Sequence, residues 1–118
     1  MQKKGVRLAN VAMFRLLALE LPEATEGAHG GHPDFRVGNK VFASLGIPDD
    51  ACGMVKLTPE QQEMLVEVEP RIFSPSAGAW GRRGYTRVRL QAADRTTLSS
   101  ALTMAWRNTA PKRLLRTP

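Results

Sequence analysis

Cys52 is the single cysteine among the 118 residues. An internal disulfide, a four-cysteine zinc site and a redox CxxC pair are thereby excluded, and a reducing, cytoplasmic setting is the expectation. Apolar runs are short: none approaches the ~18 residues that a membrane span requires. The start, Met1-Gln2-Lys3-Lys4, is basic, but no small-residue cleavage site follows the apolar stretch behind it, so neither secretion nor membrane insertion is expected. Also missing are a G-x-S-x-G elbow, a phosphate-binding glycine loop and a dinucleotide fingerprint, which removes common signatures of hydrolases and nucleotide enzymes. What remains is an ordinary composition, with 42% apolar, 24% charged and 6% aromatic residues. Such a chain can bury roughly 65% of the surface it exposes when unfolded, enough for a single domain over residues 1–118 with no structural metal and no cofactor.

Acidic residues run out toward the C-terminus. Residues 1–70 carry seven Lys and Arg against ten Asp and Glu, whereas residues 71–118 carry ten basic side chains and one acid, Asp94. The formal net charge of +6 and the pI near 10.3 thus conceal a polarised chain. Arginine dominates the basic part, and its planar fork matches phosphate oxygens. A surface of this kind attracts polyanions with an affinity that falls steeply as salt rises. The competing account is a solvated surface that serves solubility alone.

Residues 7–21 hold no breaker before Pro22 and repeat apolar side chains at helical spacing, which predicts a helix with Val11, Phe14, Ala18 and Leu21 toward the core. The small-residue stretch 24–33 is compatible with a short strand feeding a loop at Gly30-Gly31 and is not counted in the expected order. Phe35-Arg36-Val37 and residues 40–45 read as strands joined at Gly38-Asn39, residues that tolerate the positive φ of primed hairpin turns. Alternation in the second strand puts Val41, Ala43 and Leu45 on one face, with Phe42 and Ser44 opposite. Residues 53–57 follow a turn around 47–50 and complete a meander. At Thr58-Pro59-Glu60-Gln61 a capping box opens a helix that carries Met64, Leu65 and Val68 inward and Glu60, Glu63, Glu67 and Glu69 outward. Ile72-Phe73-Ser74 and residues 86–90 then form a hairpin about a long glycine-containing loop, 75–84. Asp94 caps a last helix to about Thr109, with Leu98, Leu102, Ala105 and Trp106 inward, and Pro111 stops it. Residues 111–118 are expected to be a partly mobile basic tail. The order α-β-β-β-α-β-β-α, a three-strand meander plus a two-strand hairpin, predicts an α+β fold whose antiparallel sheet packs against helices.

Five segments in order carry a family resemblance: His32-Pro33-Asp34-Phe35-Arg36-Val37, Lys40-Val41-Phe42-Ala43, Val55-Lys56-Leu57-Thr58-Pro59-Glu60-Gln61, Gly78-Ala79-Trp80-Gly81-Arg82 and Ala110-Pro111-Lys112-Arg113-Leu114. Together they resemble the MmcQ/YjbR family over nearly the whole chain. The resemblance implies a CyaY-like or secretion-chaperone-like α+β domain and a double-wing arrangement that binds DNA. The chain departs from the family pattern at Gly30-Gly31, since a tryptophan or other bulky residue often precedes the family's Gly-His-Pro.

Trp80 to Leu90 is the segment of most functional interest. Alternation puts Thr86, Val88 and Leu90 on one strand face and Tyr85, Arg87 and Arg89 on the other. Glycines flank Arg82-Arg83 and allow close approach to another backbone, and Trp80 or Tyr85 is a candidate to stack on a base or sugar. Arg82, Arg83, Arg87 and Arg89 are therefore the principal candidate DNA contacts. The alternative is a surface hairpin whose arginines pair with Glu60, Glu63 and Glu67 while Trp80 fills the core. Arg36 and Lys40, beside the Gly38-Asn39 turn, make a second candidate wing or two solvated charges. Lys112 and Arg113 are further candidates, in a place where the helix dipole alone favours cations. His29, His32 and Asp34 form a loose H-x-x-H-x-D array lacking an evident fourth ligand, and no metal site is expected. Catalysis by His32 with Asp34, or by Cys52, lacks an accompanying oxyanion site or pocket signal, so an enzyme is not expected. DNA is the expected partner. The alternative is a protein-interaction or chaperone-like module using Phe42 and the sheet face opposite Val41.

Overall fold

A computed structural model describes residues 8–116. Asn10 caps helix α1 (Val11–Leu19) by accepting from the Met13 amide at 2.8 Å, and the helix ends short of Pro22. Residue 7, where the sequence reading began this helix, lies outside the described residues. Four strands follow in a meander: β1 (Thr25–His29), β2 (His32–Val37), β3 (Lys40–Leu45) and β4 (Cys52–Lys56). Both Gly38 and Asn39 have positive φ, 58° and 65°, as the primed turn between β2 and β3 requires. Gly30 and Gly31, at 53° and 80°, make the same kind of connection between β1 and β2, so residues 24–33, expected as a short strand and a loop, supply a full hairpin arm and the meander has four strands instead of three.

Thr58 and Gln61 form the complete capping box of α2 (Pro59–Val68). The chain continues through β5 (Phe73–Pro75), α3 (Gly78–Arg82), β6 (Tyr85–Arg89), a 3-10 turn (Leu90–Ala92), α4 (Arg95–Thr109) and α5 (Lys112–Leu115). Every pairing is antiparallel and the strand order is β1-β2-β3-β4-β6-β5. The α+β class is as expected. The loop expected over 75–84 instead contains α3, and it is tied down rather than extended as a hairpin tip. A Cβ on Gly81 would meet the Ser76 carbonyl, and one on Gly84 the Leu57 carbonyl, so the glycines around Arg82-Arg83 serve close approach to the protein's own backbone. Gln62 in α2 holds the same segment, donating to the Gly81 and Tyr85 carbonyls at 3.0 Å each. The expected tail is helical over Lys112–Leu115, with Leu114 and Leu115 packed against the core; residues 117–118 lie outside the described residues.

Helix α4 covers β3 and β4, and α1 packs on α4. Leu98, Leu102, Ala105 and Trp106 are buried as their spacing predicts, and the Trp106 indole donates to the Pro22 carbonyl at 3.0 Å. In α1 the buried stripe is Phe14, Leu17 and Ala18; Val11 is exposed. Helix α2 sits beside β5 and β6 at the sheet's edge, so Leu65 and Val66 touch the core while Met64 and Val68 stay exposed. A bulge changes β3. Phe35 pairs with Ala43 but Arg36 pairs with Val41, leaving Phe42 as the extra residue. Phe42 and Ala43 are consequently both fully buried, and Val41 joins Ser44 on the opposite face. Phe42 is therefore inaccessible to a protein partner. No described helix is long and apolar enough to cross a membrane.

Gly53 in β4 lies against the Phe14 ring, which an added Cβ would overlap. Gly53→Ala is expected to destabilise the fold by about 1–3 kcal/mol through overpacking. Urea denaturation of the variant and the parent checks this through an earlier midpoint with an unchanged slope.

Candidate nucleic-acid interface

Alternation along β6 sends Thr86 and Val88 into the core and Tyr85, Arg87 and Arg89 to the outer face, which α1 and α4 leave uncovered. The register builds this face row by row. Asp34, Ser44, Met54, Arg87 and Ser74 lie abreast across β2, β3, β4, β6 and β5; Lys56 stands opposite Tyr85, and Cys52 opposite Arg89. Two cavities flank the Met54–Arg87 pair. One, of about 460 Å3, is mostly apolar: Val41, Ser44 and Met54 line it together with Trp80 and Tyr85, and His29 and Ile47 also border it. The other, of about 400 Å3, is lined by Arg71, Arg87 and Arg89, with Asp49, Cys52 and Ser74 among its neighbours.

Arg82 and Arg83 stand exposed at the end of α3, next to the first cavity's aromatic wall. The Arg83 guanidinium lies 5.5 Å from the centre of the Trp80 ring, and the Lys56 ammonium 5.8 Å from that of Tyr85. Trp80 meets Tyr85 edge-on at 5.0 Å and remains 57% exposed, so it does not fill the core. Among the described residues, Arg71, Arg82, Arg83, Arg87 and Arg89 make no ion pair with any carboxylate, including those of α2.

The other sequence candidates divide differently. Arg36 donates from Nε and Nη2 to the fully buried Asp34, at 2.8 and 2.9 Å, and Arg113 makes a two-pronged bond to Glu23 at 2.8 and 2.7 Å. Their guanidinium groups are already committed within the fold. Lys40 and Lys112 are exposed. Gly38 abuts Pro111, where a Cβ would come within 3.0 Å of the ring, so the β2–β3 turn lies against the residue that precedes α5. Sequence reasoning left Arg71, Val41, Ser44 and Met54 off the site. Arg71 precedes a strand whose register was not legible, and the other three reach the site through the bulge and the β3–β4 register.

His29 Nδ1 lies 2.8 Å from the second Asp34 oxygen, while His32 stands apart beneath Gly46, its ring centre 6.4 Å from that of His29. Among the described residues no three His, Cys, Asp or Glu side chains are grouped to hold a metal ion. Cys52 lines the arginine cavity and His29 the apolar one, so the two are not brought together. Burial, with Asp49 nearby, pushes the Cys52 thiol up, outweighing Arg87 and Arg89 and disfavouring the thiolate a nucleophile needs.

The YjbR family model matches residues 19–108, and the chain belongs to that family. Its fold is similar to the crystal structure of Deinococcus radiodurans protein DR2400, which carries the domain DUF419. The TM-score is 0.70, with 21% identity over 84% of this chain and 77% of that one. No curated protein matches.

Hydrogen bonds from Arg36 hold the Asp34 carboxyl below its ordinary range against the opposing effect of burial, with His29 adding to the lowering. A carboxylate depressed in the folded state contributes stability that is present above its unfolded pKa and is lost as pH falls through the folded one. Asp34→Asn should therefore cost about 1.5–3 kcal/mol at neutral pH, the range for a hydrogen bond to a charged group. The deficit should shrink on acidification below about pH 4, the unfolded Asp value. Denaturant titrations of both proteins from pH 7 to pH 3 measure it.

Proposed function

We propose that this protein acts by binding DNA rather than by catalysis, along a strip that runs from Arg82 and Arg83 through Arg87 and Arg89 to Arg71. The observation that carries the reading is the absence of carboxylate partners for these five guanidinium groups among the described residues. They occupy one strand, the helix before it and the approach to the neighbouring strand, and β6 alone spans roughly 17 Å, several phosphate spacings. Cations left unpaired by the fold are available to displace counterions from a phosphate backbone. Exposed Trp80 beside them adds a ring able to stack on a base or sugar. Arg36 and Arg113 are secondary in this scheme because each already satisfies a carboxylate. Lys40 and Lys112 lie with the β2–β3 turn and α5, and we assign them at most an outlying electrostatic part.

The test is anisotropy of a labelled duplex at several salt concentrations, beside an acidic protein as competitor. Replacing Arg82, Arg83, Arg87 and Arg89 with Ala should lower the slope of log K against log salt by about 3–4, at ~0.9 per phosphate contact. Arg113→Gln should leave that slope unchanged. Equal affinity and slope for the quadruple variant and the parent would reject the strip.

A further inference from the structure

Two features of the outer face are not accounted for by phosphate contacts. Ser44 is 1% exposed and its buried hydroxyl has no hydrogen-bond partner among the described residues, although a buried polar atom ordinarily finds one. Ser44 lines the apolar cavity beside Met54 of the neighbouring strand, and Trp80 and Tyr85 line it as well. Trp80 at 57% and Ile47 at 38% exposure border the same cavity, a concentration of large apolar side chains left in water. An occupant must therefore be largely apolar or aromatic, with a polar edge for Ser44.

Its charge follows from the surroundings. Arg83 lies over Trp80, Lys56 over Tyr85, and Arg87 is level with Met54 at the boundary with the second cavity, where Arg71 and Arg89 join it. The nearby carboxylate Asp34 is neutralised by Arg36, and Asp49 in the second cavity accepts from the Ala51 amide at 2.9 Å. An apolar slot with a buried hydroxyl thus adjoins a three-arginine cavity, one sheet row giving Ser44 and Met54 to the first and Arg87 and Ser74 to the second. That pairing matches a planar heterocycle joined to a phosphate.

We propose that the outer face binds an unpaired nucleotide, the base entering beside Trp80, Tyr85 and Ser44 while its phosphate meets Arg71, Arg87 and Arg89. This rests on the DNA-binding reading and makes it narrower, because a base in a duplex does not offer its edge to such a slot without leaving the stack. The same chemistry is present in a free nucleotide and in a single strand.

The test compares a labelled thymidine 15-mer, a hairpin duplex and thymidine 5′-monophosphate on the full chain at one salt concentration. The 15-mer should bind at least ten-fold more tightly than the duplex. Trp80→Ala should weaken the 15-mer roughly ten-fold, the scale of one base–aromatic stack, and weaken the duplex by a smaller factor. Trp80 is exposed, so this variant should keep its fold; Ser44→Val, checked for folding by thermal melting, should weaken the 15-mer several-fold. Monophosphate binding that approaches the 15-mer's would identify the free nucleotide as ligand, and a large gap in favour of the 15-mer would identify the strand; both support the pocket. Salt-dependent binding of 15-mer and duplex alike, unmoved by Trp80→Ala and Ser44→Val, would overturn the pocket and leave the DNA-binding strip standing. No binding of any of the three would overturn both.

Discussion

One-sided cover of the sheet is the constraint from which the rest follows. Helices α1 and α4 bury the face carrying Phe42, Ala43, Val55 and Val88, and side chains two apart on a strand must share a face. Once Thr86 and Val88 are committed to the core, Tyr85, Arg87 and Arg89 have to point the other way. The charge polarity of the sequence thus becomes a spatial polarity, since the basic C-terminal part contributes both the helix that seals the core and the strand that arms the opposite surface.

The bulge at Phe42 shows how small a displacement redirects that surface. With strict alternation, Phe42 would face outward and Val41 inward. The extra residue turns a large ring into the core and places Val41 beside Ser44, so both residues line the apolar cavity. At the other end of the same face, Arg36 and His29 hold the buried Asp34 charge, and Gly27 across the pairing leaves room for it. A Cβ there would come within 3.0 Å of the carboxylate and 3.1 Å of the guanidinium.

Local chemistry was legible in the sequence wherever two or three adjacent residues decide the backbone. The Thr58–Gln61 box, the Gly38-Asn39 turn and the Asp94 cap all occur where their side chains predict, and Trp106 is buried on its helical stripe. The alternation of β6 was legible too, because its apolar residues recur every second position. Less so was whatever depends on contact between distant segments. Glycines around Arg82 suggested an open tip, yet Gln62 and the carbonyls of Ser76 and Leu57 fold that stretch into α3. Trp80 read as core or as a stacking ring, and only the placement of α3 at the sheet's outer side leaves it exposed. Neither Ser44 nor Arg71 carries a local signal. Their place in the site comes from strand register, which no short window contains.

Two contacts join chain segments far apart in sequence: the Trp106 indole reaches the Pro22 carbonyl, and Arg113 grips Glu23, 90 residues earlier. Glu23 makes its bond from a left-handed backbone conformation, φ 57°, that a non-glycine residue adopts only when its surroundings hold it there. On a ribosome, the meander emerges long before α4 exists to shield it. The nascent sheet must wait with its greasy side bare until residues 95–109 are made, and the clasp at Glu23 closes only once Arg113 has followed them.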